Sequence, residues 1–192
     1  ASISGRVMDY TTQNGVDATL SLMPLDGGET VNITSDENGA YAFDGLLPGD
    51  YMLTVTLKGG YLFADSPDSI LPYLNDNASG MVISLPMGIV EEDWNVIASK
   101  PVDWNITLFK DANENGILDA DETAAPGRTL HLFLRNDMIG SYVSDENGVV
   151  HLTGVIPAQY TAKVDLVDGE YFSMNPYENT ETINADGLTV AL

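Results

Sequence analysis

The sequence predicts an all-β chain folded as two tandem β-sandwich modules. Three observations carry that prediction. Residues 35–51, SDENGAYAFDGLLPGDY, recur as SDENGVVHLTGVIPAQY at 144–160, an ungapped offset of 109. Between the turn residues, short stretches alternate apolar and polar side chains or run apolar, the period of a strand with one buried face. No stretch shows a helical period. At the same offset Phe63 and Pro67 pair with Phe172 and Pro176, and at an offset of 107 ASGMVISL (78–85) resembles ADGLTVAL (185–192). So much similarity in one order is the mark of an internal repeat.

The elements follow in order. ISGRVM, ATLSLM and YMLTVTL are strands of the first copy, and TLHLFL, YTAKVDL and LTVAL are strands of the second. Asp-Glu-Asn-Gly at 36–39 and 145–148 reads as a hairpin turn, because Asn and Gly tolerate positive φ. Leu-Leu-Pro-Gly-Asp (46–50) and Val-Ile-Pro-Ala-Gln (155–159) make a second turn, each running into a Tyr that opens the next strand. The predicted modules are 1–87 and 101–192. The segment 88–100 is too apolar for a floppy linker and is expected to be an ordered connector or an extra strand. Asp93-Trp94-Asn95-Val96 recurs as Asp103-Trp104-Asn105-Ile106. The two indoles suit either packing at a module joint or a sugar-stacking platform.

Composition narrows the function. Of 192 residues 44% are hydrophobic, a globular proportion, and no apolar run is long enough to span a bilayer. Four Lys and three Arg stand against 29 acidic residues, a net charge of −22. Such a surface repels nucleic acid and anionic membranes, and it suits a solvated exterior or a divalent-cation binder. With no cysteine there is no disulfide, thiolate metal site or thiol nucleophile.

One stretch carries a specific chemistry. Asp111 to Glu122 reads D-x-N-x-N-G-x-x-D-x-x-E. Calcium takes six to eight oxygens, and this spacing wraps them round one ion. Asp111, Asn113 and Asn115 hold positions 1, 3 and 5, and Gly116 gives the sharp turn at position 6. Ile117 offers its carbonyl at position 7, Asp119 binds directly or through water at position 9, and Glu122 binds through both oxygens at position 12. Magnesium is a poorer match, since it favours fewer protein ligands and a tighter octahedron. The corresponding stretch of the first copy, DYTTQNGVDA from Asp9, has Thr11 and Gln13 where chelators belong and lacks the final Glu, so no ion is expected there. Nothing flanking the motif looks helical. The loop is therefore expected to clip strands together, not to open a pair of helices.

FKDANENGILDADETAAPGRTLHLFL followed by SDENGVVHLTGVIPAQYTAKV resembles the B-type domain of serine–aspartate repeat surface proteins. DENGAYAFDGLLPGDYMLTV in the first copy resembles the same group and its relatives, the collagen-adhesin B-type repeats and carboxypeptidase regulatory-like domains. The resemblance implies Ig-like, Greek-key, prealbumin-like sandwiches of seven strands, used as a calcium-stiffened stalk on a bacterial cell surface or in a secreted protein. The partners it implies are neighbouring modules of a longer surface protein, with a host or glycan ligand as the alternative role of an adhesin module. Ala158-Gln159 departs from the family's Pro-Gly-x-Tyr, and without a sorting motif wall anchoring is expected to come from outside this chain. Some relatives carry a Lys–Asn isopeptide bond. Arg6 replaces the lysine in the first copy, while Lys110 with Asn179 or Asn184 leaves that bond open in the second.

No catalytic constellation stands out. His131 and His151 lie on predicted strands, away from any zinc-like cluster, and no G-x-S-x-G elbow is present. A non-enzymatic spacer is the expected role. The binding-module alternative rests on Trp94, Trp104, Tyr61, Tyr73 and Tyr171. A pilin-like polymer subunit would need a reactive lysine or a donor strand that the sequence does not single out.

Overall fold

The computed structural model describes residues 1–74, 76–115, 117–167, 179–182 and 188–191. It divides into two compact units, Ala1–Pro101 and Val102–Leu192. All the regular elements among the described residues are strands.

The first module contains β1 (Ser2–Asp9), β2 (Ala18–Pro24), β3 (Val31–Thr34), β4 (Ala40–Phe43), β5 (Gly49–Leu57), β6 (Leu62–Phe63), β7 (Ala78–Leu85), β8 (Val90–Glu91) and β9 (Val96–Ser99). One sheet runs β4-β1-β9-β6 with β8 beside β1, and the other runs β3-β2-β5-β7. Inward side chains of both sheets form one core. Ile3, Val7, Phe43 and Val96 come from the first sheet, and Leu20, Leu22, Leu53, Val55 and Ile83 from the second. Each such aliphatic side chain contributes about 1.5–3 kcal/mol on burial, so the alternation read in the sequence is the main reason these strands hold together.

The second module repeats this plan. Its strands are β10 (Val102–Lys110), β11 (Thr123–Ala124), β12 (Thr129–Leu134), β13 (Asp137–Val143), β14 (Val149–Val155), β15 (Gln159–Val164), β16 (Asn179–Thr182) and β17 (Leu188–Ala191). The sheets are β11-β10-β14, with β17 on β10, and β13-β12-β15-β16. Trp104 of β10 lies 6.1 Å from Tyr160 of β15, ring to ring, and bridges the two sheets through the core.

Two expectations are corrected. The Asp-Glu-Asn-Gly turn does not close a hairpin. β3 pairs with β2 and β4 with β1, so the turn carries the chain from one sheet to the other, and the turn between β13 and β14 does the same. The match of β7 to the last strand also changes, and the ordered segment 88–100 supplies the strand that replaces it. The segment 88–100 belongs to the first unit, where β9 pairs in parallel with β1. Since β17 pairs in parallel with β10, the counterpart of β17 is β9 and not β7. β7 pairs with β5 as β16 pairs with β15.

The sheet-crossing turn explains the strongest part of the repeat. Asp36 Oδ1 accepts the N–H groups of Asn38 and Ala40, both at 2.8 Å, and Asp145 Oδ1 accepts those of Asn147 and Val149, also at 2.8 Å. Gly39 (φ +77°) and Gly148 (φ +75°) follow, and their carbonyls accept from Val7 and Leu108, each at 2.8 Å. A Cβ on Gly39 would stand 2.0 Å from the Val7 oxygen, and one on Gly148 would stand 2.4 Å from the Leu108 oxygen. Glycine is thus required by close approach as well as by φ. The serine before each turn is a staple. Ser35 Oγ donates to Val16 and accepts from Ala18, while Ser144 Oγ donates to Ala125 and accepts from Arg128. The tyrosine closing each motif donates its hydroxyl four residues back, Tyr51 to Leu47 at 2.8 Å and Tyr160 to Ile156 at 2.9 Å, as in a tyrosine corner.

Candidate metal centre

The connection from β10 to β12 holds the predicted loop. In the first module the chain takes nine residues from Val7 to Val16, whose N–H bonds the Val7 carbonyl; in the second it takes seventeen from Leu108 to Ala125, bonded in the same way. The loop is therefore an eight-residue enlargement at one fixed place in the module.

The side chains at loop positions 1, 3, 5, 9 and 12 join one hydrogen-bonded cage. Asp111 is buried at the end of β10, only 7% exposed, and its Oδ1 accepts the Asn115 N–H at 3.2 Å. Asn113 and Asn115 both donate Nδ2 to Asp119 Oδ2 at 2.8 Å. Asn113 Oδ1 accepts from the Asn115 N–H, and Asn115 Oδ1 accepts from the Ile117 N–H. Glu122 reaches back across the loop. Its Oε1 accepts from Ala112 at 2.9 Å and its Oε2 from Asp119 at 3.1 Å, so both oxygens are fixed against the loop backbone. Ile117 exposes its side chain, as suits a residue whose predicted contribution is its carbonyl. Gly116 lies outside the described residues. The residue types offer oxygen donors of the kind calcium takes, while among the described residues no three carboxylate or histidine side chains converge as they would on an ion.

Asp9 shows the alternative. Its Oδ1 accepts from the Thr11 N–H at 3.0 Å, the Thr12 N–H at 2.7 Å and the Thr12 hydroxyl at 3.0 Å. The short loop satisfies its buried carboxylate with its own donors. Sequence reading singled out the long loop because positions 1, 3, 5, 9 and 12 each carry a side-chain oxygen and position 6 is glycine. The Ser35 and Ser144 staples escaped it, and their only signal was that the repeat begins at serine.

The other candidate residues are placed as follows. Trp104 is buried in the second module. Trp94 is half-buried against the core of the first, with Nε1 donating to Glu91 at 3.4 Å. Each indole therefore packs within its own module. The Trp94 carbonyl also accepts the Tyr41 hydroxyl, whose pKa burial pushes up. Tyr61 and Tyr73 are half-buried in the first module, and Tyr171 lies outside the described residues. Lys110 is exposed at the end of β10, while Asn179 opens β16 in the opposite sheet; Asn184 lies outside the described residues.

His131 sits between Ser141 Oγ at 2.7 Å and Asp165 Oδ1 at 3.2 Å, and His151 sits between Asn105 Oδ1 at 2.8 Å and Asp145 Oδ2 at 3.4 Å. The first trio has the residue types of a hydrolytic triad. Acyl transfer also needs donors aimed at a developing oxyanion. Ser141 stands mid-strand on an exposed face of β13.

The architecture defines a class, tandem Ig-like β-sandwich modules with one loop of calcium-binding pattern. Comparison with known proteins finds relatives of the modules. Residues 2–66 match the family model of the carboxypeptidase regulatory-like domain. The chain is 31% identical over 167 residues to Colossin-A of Dictyostelium discoideum, covering 86% of this chain and 2% of that protein. It is 25% identical over 186 residues to serine-aspartate repeat-containing protein D of Staphylococcus aureus (strain Newman), covering 93% of this chain and 14% of that protein. Similar solved structures include GBS52, the minor pilin of Streptococcus agalactiae, with a TM-score of 0.38, 13% identity and coverage of 99% of this chain and 94% of that one. The Bacillus anthracis TIE protein also has a TM-score of 0.38, with 17% identity and coverage of 99% and 33%. The chain thus resembles the B-type modules of serine–aspartate repeat surface proteins, and it spans between 2% and 14% of the length of these curated relatives.

Proposed function

We propose that this chain is a non-enzymatic spacer segment of a bacterial, cell-wall-associated extracellular protein, with calcium stiffening its second module. The likeness to repeat-containing surface proteins supports the location, and the tandem of two like modules supports the role. Its partners are the neighbouring modules of a longer polypeptide. The net charge of −22 disfavours nucleic acid and anionic membrane as partners.

The observation that carries the calcium reading is the fixed Glu122 carboxylate, held by the Ala112 and Asp119 N–H groups across the loop from Asp111. Asp111, Asn113, Asn115, Asp119 and Glu122 would hold the ion through side-chain oxygens, and Ile117 through its carbonyl. Five carboxylates crowd residues 111–122, and a dication offsets their mutual repulsion. An ion linking the end of β10 to the approach to β11 closes the enlarged connection as the short Asp9 turn closes its counterpart. The glycan- or protein-binding reading lacks a comparable observation, since Trp104 is buried and Trp94 packs on its own module.

Thermal unfolding with calcium and with chelator tests the proposal. Calcium at about a hundredfold its Kd adds about 2.7 kcal/mol of stability, which for a module of this size raises the melting temperature by roughly 10 °C or more. Asp111→Ala and Glu122→Gln each abolish most of that rise. Calcium bound with no change in melting temperature refutes the stiffening role. No binding at all refutes the site.

A further inference from the structure

Along β1 and β9, successive side chains point to opposite faces of the sheet. Val7, Val96 and Ala98 are fully buried and belong to the core between the two sheets. Met8 and Ile97, Cα partners in the parallel pair, therefore face the outer side. The outer face of a sandwich is ordinarily polar and wet. Here both side chains are apolar and covered, at 9% and 3% exposed. The segment 64–70, which follows β6, is tied beside them. The Ala64 N–H bonds the Ile97 carbonyl at 3.0 Å, the Ile70 N–H bonds the Asn95 carbonyl at 2.8 Å, and the Ile97 N–H bonds Ser69 Oγ at 3.2 Å. Between this segment and the sheet lies an open cavity of about 580 Å³, a volume typical of ligand sites.

The cavity has two chemical parts. Its floor is aliphatic, made by Met8, Ile70 and Ile97, and its rim carries the exposed Asp68 and Asp93. No lysine or arginine lines it, and Tyr10 is the one aromatic residue that does. Local backbone places both acids. The Asp68 N–H bonds Ser66 Oγ at 3.2 Å, inside a turn closed by the Ser69 N–H on the Ser66 carbonyl. Asp93 holds left-handed backbone, φ +58°, with its carbonyl accepting from the Asn95 N–H at 2.7 Å. The bond from Ile70 to Asn95 joins the two segments and brings both acids to one cavity.

We propose that this cavity of the first module binds a short basic peptide segment of a partner protein, seating one apolar side chain on the floor and flanking cations against Asp68 and Asp93. Charge selects the occupant. An acidic rim on a chain of net charge −22 attracts a cation and repels an anion. The floor selects an apolar group, because it keeps aliphatic surface beneath the acids with room for a ligand above it. No apolar residue of this chain has a cation on each side, so the segment comes from another protein. The site does not use the tryptophans, and it stands independently of the calcium loop.

The test is an NMR titration of the full chain, followed at the methyl groups of Met8, Ile70 and Ile97. The probe is the capped tripeptide Lys-Leu-Lys, and saturable shifts centred on those methyls are expected. Lys-Ala-Lys should bind at least about tenfold more weakly for want of the buried side chain. Gln-Leu-Gln should bind about tenfold more weakly for want of both ion pairs. Asp68→Asn combined with Asp93→Asn weakens Lys-Leu-Lys to the level of Gln-Leu-Gln, and asparagine tolerates the left-handed backbone at 93. Asp26→Asn combined with Asp44→Asn removes the same charge from positions outside the cavity and leaves the affinity unchanged. Absence of shifts at those methyls overturns the site, as do shifts spread over the acidic surface and equal in both pairs of variants. Lys-Ala-Lys binding as tightly as Lys-Leu-Lys overturns the role of the floor. Hexylammonium binding as tightly as the tripeptide overturns the peptide and assigns the cavity to a free amphiphilic amine.

Discussion

Gly39 and Gly45 both take left-handed backbone, at φ +77° and +67°, yet they are not equivalent residues. A methyl on Gly45 meets open space, whereas on Gly39 it meets the β1 backbone. Gly45→Ala should cost only the conformational term, about 1–2 kcal/mol. Gly39→Ala should cost at least about twice that, because the turn must also part from Val7; urea unfolding of the two variants measures the difference. Asp145 is a titrating residue of the same motif in the second module. The Val149 N–H holds its carboxyl below the usual range, helped by Asn147 and the His151 ring and opposed by burial. A carboxyl lowered in the folded state stabilises the fold above the unfolded pKa of about 3.9, and the gain is lost as pH falls through the folded value. The stability gap between wild type and Asp145→Asn should therefore hold from neutral pH to about 4 and shrink below it. A gap that widens on acidification would contradict this account.

At the scale of elements, the β10–β12 connection differs from its counterpart by its eight-residue enlargement alone, with the same bond closing it on either side. The module is accordingly expected to fold without the long loop. Replacing residues 109–124 with the sequence of residues 8–15 should leave the second module folded in chelator and remove its response to calcium. Melting curves of the exchanged chain, with and without calcium, read both outcomes; a chain that fails to fold would make the loop part of the folding unit.

Across the whole molecule, seven strands recur in each module among the described residues, with two-residue β6 and β8 added to the first and β11 to the second. Each module buries its own core, and the tryptophans divide between them, Trp94 packing in one and Trp104 in the other. Acidity is shared as well. Residues 1–101 carry 14 of the 29 carboxylates and residues 102–192 the other 15, so no module acts as a basic counterpart to the other. Such a surface favours solvation and cation binding along the full length.

The sequence by itself determined the repeat, the strands and the position of the candidate calcium loop. Alternation such as that of β5 marks which side chains turn inward, and ligand spacing within twelve residues is a local property. Tertiary structure decided which strands pair. The Asp-Glu-Asn-Gly turn has the residues of a hairpin and closes on itself, Gly39 and Gly148 donating to Asp36 and Asp145, yet it crosses between sheets, because the carbonyls of Gly39 and Gly148 accept from Val7 of β1 and Leu108 of β10. β7 resembles the final strand in sequence, yet β9 takes that place beside β1. A period of two fixes a strand's faces but not its partner, and the partner is chosen by contacts distant in sequence that only the assembled core supplies.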